Sequence, residues 1–268
     1  MSGMERGTDT RAMADSLRGL ALCVVRMLLT GGRIVQSHLA ELFGATYLAD
    51  PHRQYGYGMT TLLPLLYERP QDFATLAGGL FDGAGSLGNG SAMRVAPLGA
   101  YFHADLDRVV EQAALSASVT HTHPEAVDGA IAVAVGAALS AAGRGKPAGP
   151  AADFLERVAE LVPPGVIRSG VEAAAALEPS TPAWRAADVL GNGHRIRCSD
   201  TVPFALWTAA VHQDDYEAAL WDTAAGLGDI DTTCAITGGI VAARTGTGAA
   251  PALWLRLREP LPDWAEQL

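Results

Sequence analysis

Apolar residues recur along this chain at every third or fourth position, segment after segment. That period most constrains what the chain can fold into. Residues 15–29 (DSLRGLALCVVRMLL), 109–119, 126–142, 152–162, 201–212 and 216–227 each place an apolar stripe along one side of a helix. Alanine is abundant in them, and small side chains let helices approach closely. No run alternates β-branched and polar residues as a half-buried strand does. Glycine and proline collect between the helical segments, at 50–58, 82–91, 143–151, 190–200 and 258–264. The break at 143–151 has a linker's composition, but helices of one kind flank it, so it reads as a surface loop within one domain. The expected fold class is all-α: one multi-helix domain over residues 1–268, of roughly a dozen helices, with 1–12 flexible.

Such a fold needs a core. Hydrophobic residues make up 49% of the 268 and charged residues only 18%, which supplies one and excludes a disordered chain. Against 19 bases stand 29 acids, for a formal net charge of −10. No basic face for nucleic acid or for an anionic membrane is expected from that balance. A small anionic ligand remains compatible, because backbone N–H groups and helix N-termini hold anions. Cys23, Cys198 and Cys234 are far apart and lack metal or redox spacing, so they read as buried thiols in a reducing compartment. No apolar run is expected to span a membrane, and MSGMERGTDTRAM has no signal-peptide core, so the expected location is cytoplasmic.

Four stretches carry candidate chemistry. In GDIDTT (228–233), Asp229 and Asp231 flank one isoleucine, and Thr232 follows. Their hard oxygens suit Mg²⁺, Mn²⁺ or Ca²⁺ rather than zinc. The alternative is a helix cap, which needs only one such residue. In GAGSLGNGS (83–91) the glycines let backbone N–H groups converge before a helix expected to start near Ser91, as in a phosphate cradle; the alternative is a loop with glycine at its turns. THTHPEAVDGA puts His121 and His123 at a helix start, either as anion contacts or as loop and cap residues. YGYGM (55–59) would suit stacking on a base or ribose, or form a packed turn. In SDTVPFALW, Ser199 or Asp200 reads as the N-cap of a buried helix with Pro203 in its first turn.

Taken in order, GSLGNGSAMRVAPLGA, THTHPEAVDGAI, SDTVPFALW and GLGDIDTTCAITGGIVAA resemble the motifs of ADP-ribosylglycohydrolases. YLADPHRQYGYG is similar to that family's Asp-Pro-x-Arg-x-Tyr-Gly segment. The resemblance implies an all-α domain with a two-Mg²⁺ centre. It also implies hydrolysis of an ADP-ribose glycosidic bond on a protein side chain or small molecule. Carried over residue by residue, it makes Asp229, Asp231 and Thr232 metal ligands, with Asp229 and Asp231 the catalytic carboxylates. Ser86, Leu87, Gly88, Asn89 and Gly90 become the ADP-ribose loop, Leu87 standing where some relatives carry an aromatic. His121 becomes a ligand contact, and Tyr55, Gly56 and Tyr57 lie near the ligand. The implied cofactor is Mg²⁺ or Mn²⁺, and the implied partner is ADP-ribose or an ADP-ribosylated substrate.

The chain departs from that pattern near its N-terminus. The family's Gly-Asp-Ala-x-Gly turn and its Thr-Asp-Asp-Thr run, which supplies the other metal ligands, have no counterpart. Residues 13–22 look like the family's first helix and 23–51 like the helix after the acid run, joined directly at Leu22–Cys23. GTDTRAM (7–13) resembles the run superficially, but it holds one acid, Asp9, and precedes the helix. One acidic pair would hold a cation weakly and leaves the general base unfilled. Two readings therefore stand: a hydrolase with part of its metal site missing, and a relative that binds ADP-ribose or a related nucleotide without turnover.

Overall fold

The computed structural model describes residues 9–266, with side chains from residue 19 onward. The described residues form fourteen α-helices and no strand. The first five are α1 (Asp9–Gly31), α2 (Gln36–Ala49), α3 (Tyr57–Glu68), α4 (Phe73–Gly78) and α5 (Ala96–Tyr101). The middle of the chain forms α6 (Leu106–Ser118), α7 (Pro124–Ala142), α8 (Ala151–Leu161), α9 (Val166–Ala175) and α10 (Ala183–Leu190). The last four are α11 (Val202–Val211), α12 (Tyr216–Ala225), α13 (Ile230–Thr245) and α14 (Ala252–Leu257). The all-α expectation holds. All six periodic stretches are helices. The sequence reading did not pick out α3, which has Pro64 inside it, α9, or the eight-residue α10.

Helix α7 is the centre of the molecule. It packs against α5, α6, α8 and α13, and every residue from Gly129 to Ala138 is buried. Being apolar on all sides, it needs neighbours on all sides. At nineteen residues, with a mean hydropathy of 1.5 over eighteen of them, it has the length and composition of a membrane span, which the sequence reading overlooked; 72% of those eighteen are buried inside the fold. Glycine lets one neighbour come very close: a Cβ on Gly99 of α5 would collide with the Ala134 carbonyl of α7.

Helix α1 runs unbroken through Leu22–Cys23, but residues 23–51, expected as one helix, are divided: 23–31 end α1, and 36–49 form α2 after a break at 32–35. Its residues Leu20, Val24, Met27 and Leu28 enter the core. Of the residues expected to be flexible, 9–12 form its first turn, and 1–8 lie outside the described residues. The side chain of Asp9 lies outside them too. The loop at 143–151 is exposed, as expected.

Two local expectations are corrected. No α-helix starts near Ser91. Residues Asn89–Arg94 form a 3₁₀ turn, and α5 begins at Ala96. Neither Ser199 nor Asp200 caps α11. Both lie in a 3₁₀ turn, Thr201 takes the N-cap position without a side-chain cap bond, and Asp200 instead accepts from the Arg195 N–H at 2.8 Å. Pro203 does sit in the first turn, where its missing N–H costs nothing.

Candidate active site

A cavity of about 630 Å³ opens between the 3₁₀ turn 89–94, the start of α13, the start of α3 and the loop before α11. All the candidate site residues line it: Tyr55, Gly56 and Tyr57, the loop from Ser86 to Gly90, His121, and Asp229, Asp231 and Thr232. His123 lines it as well, but its imidazole Nδ1 also caps α7 by accepting from the Glu125 N–H at 3.2 Å.

The acidic end is built by a turn. Leu227 (φ 58°) and Gly228 (φ 71°) take the left-handed region, and the Asp229 N–H is held by the Asn192 carbonyl at 3.0 Å. Asp229 stands at the N-cap position of α13 yet makes no side-chain cap bond. Its Oδ2 accepts instead from the Asn89 amide at 2.7 Å, and the same amide donates to Thr201 Oγ1 at 3.0 Å. The simple cap reading therefore fails for Asp229, whose carboxylate faces the cavity. Thr233 does not cap either; its hydroxyl donates back to the Asp229 and Ile230 carbonyls. Burial pushes the Asp231 carboxyl up to about 6, and Asp229 beside it, within hydrogen-bond reach, adds to the rise.

These donors can be tested against a cation. Two carboxylates that crowd each other, with the buried Thr232 following, offer hard oxygen atoms, and a divalent cation between them would relieve their repulsion. Among the described residues no group of three or more His, Cys, Asp or Glu could hold a metal. The set fits Mg²⁺ or Mn²⁺ gripped from one side, with water or ligand oxygens completing the shell.

The floor of the cavity is the loop 83–90, with Gly83 (φ 87°) and Gly85 (φ 71°) at its turns. It is tied down from outside. The Cys198 N–H donates to the Leu87 carbonyl at 3.2 Å, and Gly88 and Arg197 form an isolated antiparallel bridge. Arg197 in turn grips the buried carboxylate of Glu125 with two bonds, Nε to Oε1 at 3.0 Å and Nη2 to Oε2 at 2.6 Å. The Ser199 N–H adds a third at 3.0 Å. Burial alone would raise the Glu125 pKa. The bonds from Arg197 and Ser199 outweigh it and hold the carboxyl at about 2.

At the mouth, Tyr57 is 87% exposed, and Phe81 (φ 54°) and Ile196 (φ 53°) project large apolar side chains from left-handed backbone. For a β-branched residue such as Ile196 that conformation is an outlier, and such strain collects at ligand sites. Tyr55 is not available for stacking: it is buried, edge-on to Tyr47 at 5.0 Å.

The sequence reading missed Arg94, Glu125 and Arg197. Glu125 and Arg197 are 72 residues apart with no spacing to connect them. Arg94 sat within a quoted motif, but an arginine there reads as a solvated charge until its burial is seen.

The fold and cleft together define a helical protein built around a large ligand cavity with an acidic end and a glycine floor. Residues 7–268 match the model of the ADP-ribosylglycohydrolase family, and the chain belongs to that family. It is 36% identical over 137 residues to ADP-ribosylhydrolase ARH3 of Homo sapiens, a match covering 51% of this chain and 36% of that protein. The same enzyme of Gallus gallus is 34% identical over 137 residues, covering 51% of this chain and 35% of that protein. An uncharacterized protein of Archaeoglobus fulgidus is 33% identical over 184 residues, 67% of this chain and 57% of that one. The chain thus spans about a third of the length of the ARH3 relatives it matches. A solved structure titled ADP-ribosylglycohydrolase-related protein complex shares the fold at a TM-score of 0.60, with 24% identity, over 95% of this chain and 83% of that one.

Proposed function

We propose that this cavity binds ADP-ribose or an ADP-ribosylated compound, and that the chain hydrolyses the ADP-ribose glycosidic bond with Mg²⁺ or Mn²⁺ held by Asp229, Asp231 and Thr232. One observation carries the reading: an acidic pair and a glycine floor, far apart in sequence, face a single cavity of about 630 Å³. That volume suits a nucleotide-sized ligand. When bound, the cation would supply polarisation of hydroxyls and water near the acidic end. The chain's own groups do the rest. Asn89 holds the Asp229 carboxylate in place, and Asp231, partly buried and crowded by Asp229, gains most from a cation beside it. The loop 86–90 presents backbone groups to the ligand, and the Glu125–Arg197 pair keeps that loop in register with α7. Cys23, Cys198 and Cys234 are all free thiols, which supports a reducing, cytoplasmic setting.

A second reading has its own observation. Helix α1 runs unbroken where the resemblance puts the second acidic run, leaving a single carboxylate pair. That favours a protein that binds ADP-ribose without turning it over. Titration calorimetry with ADP-ribose, together with turnover of an ADP-ribosylated substrate at millimolar Mg²⁺ or Mn²⁺, separates the two. Binding with turnover supports the hydrolase, binding without turnover supports the second reading, and no binding removes both.

A further inference from the structure

Behind the glycine floor lies an unpaired charge. Arg94 closes the 3₁₀ turn 89–94 with none of its surface exposed. No carboxylate pairs with it among the described residues. Its guanidinium donates to the carbonyls of Gly90 (3.3 Å) and Ser116 (2.9 Å) and to Thr120 Oγ1 (2.8 Å), and it lies 4.5 Å over the Phe43 ring. Its Nε–H has no partner. Burial lowers its pKa to about 9, which still leaves it charged at neutral pH.

Hydrogen-bond bookkeeping then fixes the state of the next residue. The fully buried Thr120 hydroxyl touches Arg94 Nη2 and, at 2.7 Å, His121 Nδ1. Arginine only donates, so Thr120 accepts from it. The one Thr120 proton has one remaining partner, His121 Nδ1. If Nδ1 carried a proton, the Thr120 hydrogen would be buried with no acceptor. If both ring nitrogens carried protons, a buried imidazolium would sit beside the Arg94 cation. Burial first, and then Arg94, hold His121 down at about 3. The ring is therefore neutral, with its proton on Nε2. That nitrogen faces the floor: a Cβ on Gly90 would stand 3.1 Å from it, and one on Gly88 3.4 Å.

We propose that Arg94 and Thr120 are positioning residues that lock His121 as a neutral imidazole presenting its Nε2–H to the Gly88–Gly90 floor, so that this part of the cavity selects an acceptor-only, phosphate-type oxygen. The relay resolves the conflict between a chain of net charge −10 and an anionic ligand, since a buried cation two hydrogen bonds behind His121 biases the floor toward negative groups. A ligand amine would meet a donor and a cation there. The ligand class rests on the proposed function; the tautomer does not.

The experiment reads the two separately. Proton–nitrogen NMR of the His121 ring in the full chain reports the tautomer, and calorimetry with ADP-ribose reports affinity. Wild type is expected to show a neutral ring protonated on Nε2. Thr120→Val removes the hydroxyl at near-constant shape, so the ring should lose its single tautomer and affinity should fall roughly tenfold. Thr120→Ser should restore both. A wild-type proton on Nδ1, or a Thr120→Val protein with unchanged tautomer and affinity, overturns the relay. If Thr120→Val does not fold, the wild-type spectrum still decides. If the tautomer follows the relay but ADP-ribose binds no variant, the relay stands and the proposed function falls.

Discussion

Gly90 has the imidazole of His121 directly against it, with both Cε1 and Nε2 3.1 Å from where a Cβ would stand. The buried ring is boxed in by Thr120 and Arg94 and has nowhere to retreat. Gly90→Ala should therefore weaken ADP-ribose binding at least tenfold and cost about 1–3 kcal/mol of stability through overpacking. Wild-type affinity in a calorimetric titration would show that the ring does not set the floor. At the other end of the cavity, Asp229 and Asp231 repel each other across a hydrogen-bond distance. Asp231→Ala should raise the melting temperature measured without metal, or leave it unchanged, while abolishing any response to Mg²⁺. A metal-free protein clearly destabilised by that change would mean that Asp231 is structural. The acids, the glycines and His121 were legible as residue types in order. Their partners were not, because Asn89 meets Asp229 across 140 residues and only the folded chain brings the two together.

The head of α7 and the loop before α11 are held together by the Glu125–Arg197 clasp, and the glycine floor hangs from that loop. The Glu125 carboxyl is held at about 2 in the folded chain against an ordinary value of 4.5. A depressed carboxyl contributes stability that is fully present above its ordinary value and is lost as pH falls through the folded one. The clasp should thus contribute on the order of 2 kcal/mol at neutral pH, after screening of the half-exposed Arg197, and fade between about pH 4.5 and 2. Glu125→Gln should remove that part of the acid dependence in urea melts at stepped pH. A variant whose stability follows wild type across that interval would show that the clasp contributes nothing. The longer helices were readable because a 3.6-residue period survives over about three to five turns. Helix α10, eight residues long, gives no such run, and the 3₁₀ turn at 89–94 has no hydrophobic period at all.

Over the whole molecule, cation binding should appear as stability. A divalent ion that binds only the folded chain raises the melting temperature by mass action. For a chain of this size, millimolar Mg²⁺ or Mn²⁺ at about ten times the dissociation constant should add about 2–4 °C. The shift should vanish in Asp229→Ala, and a wild-type melting temperature unmoved by either metal would remove the cation from the site. The helical period and the low charge content determined, from sequence alone, the all-α class, and the order of the motifs carried the resemblance to the family and with it the candidate residues that line the cavity. The class is a property of local spacing and composition, and the resemblance is one of short motifs in order; a linear reading contains both. Tertiary structure alone decided that Arg94 is buried without a carboxylate, that Asn89 holds Asp229, that Glu125 and Arg197 pin the floor, and that α7 is a core helix rather than a membrane span. Each of these depends on which side chains meet across 22 to 140 residues of chain and on how much water is left between them.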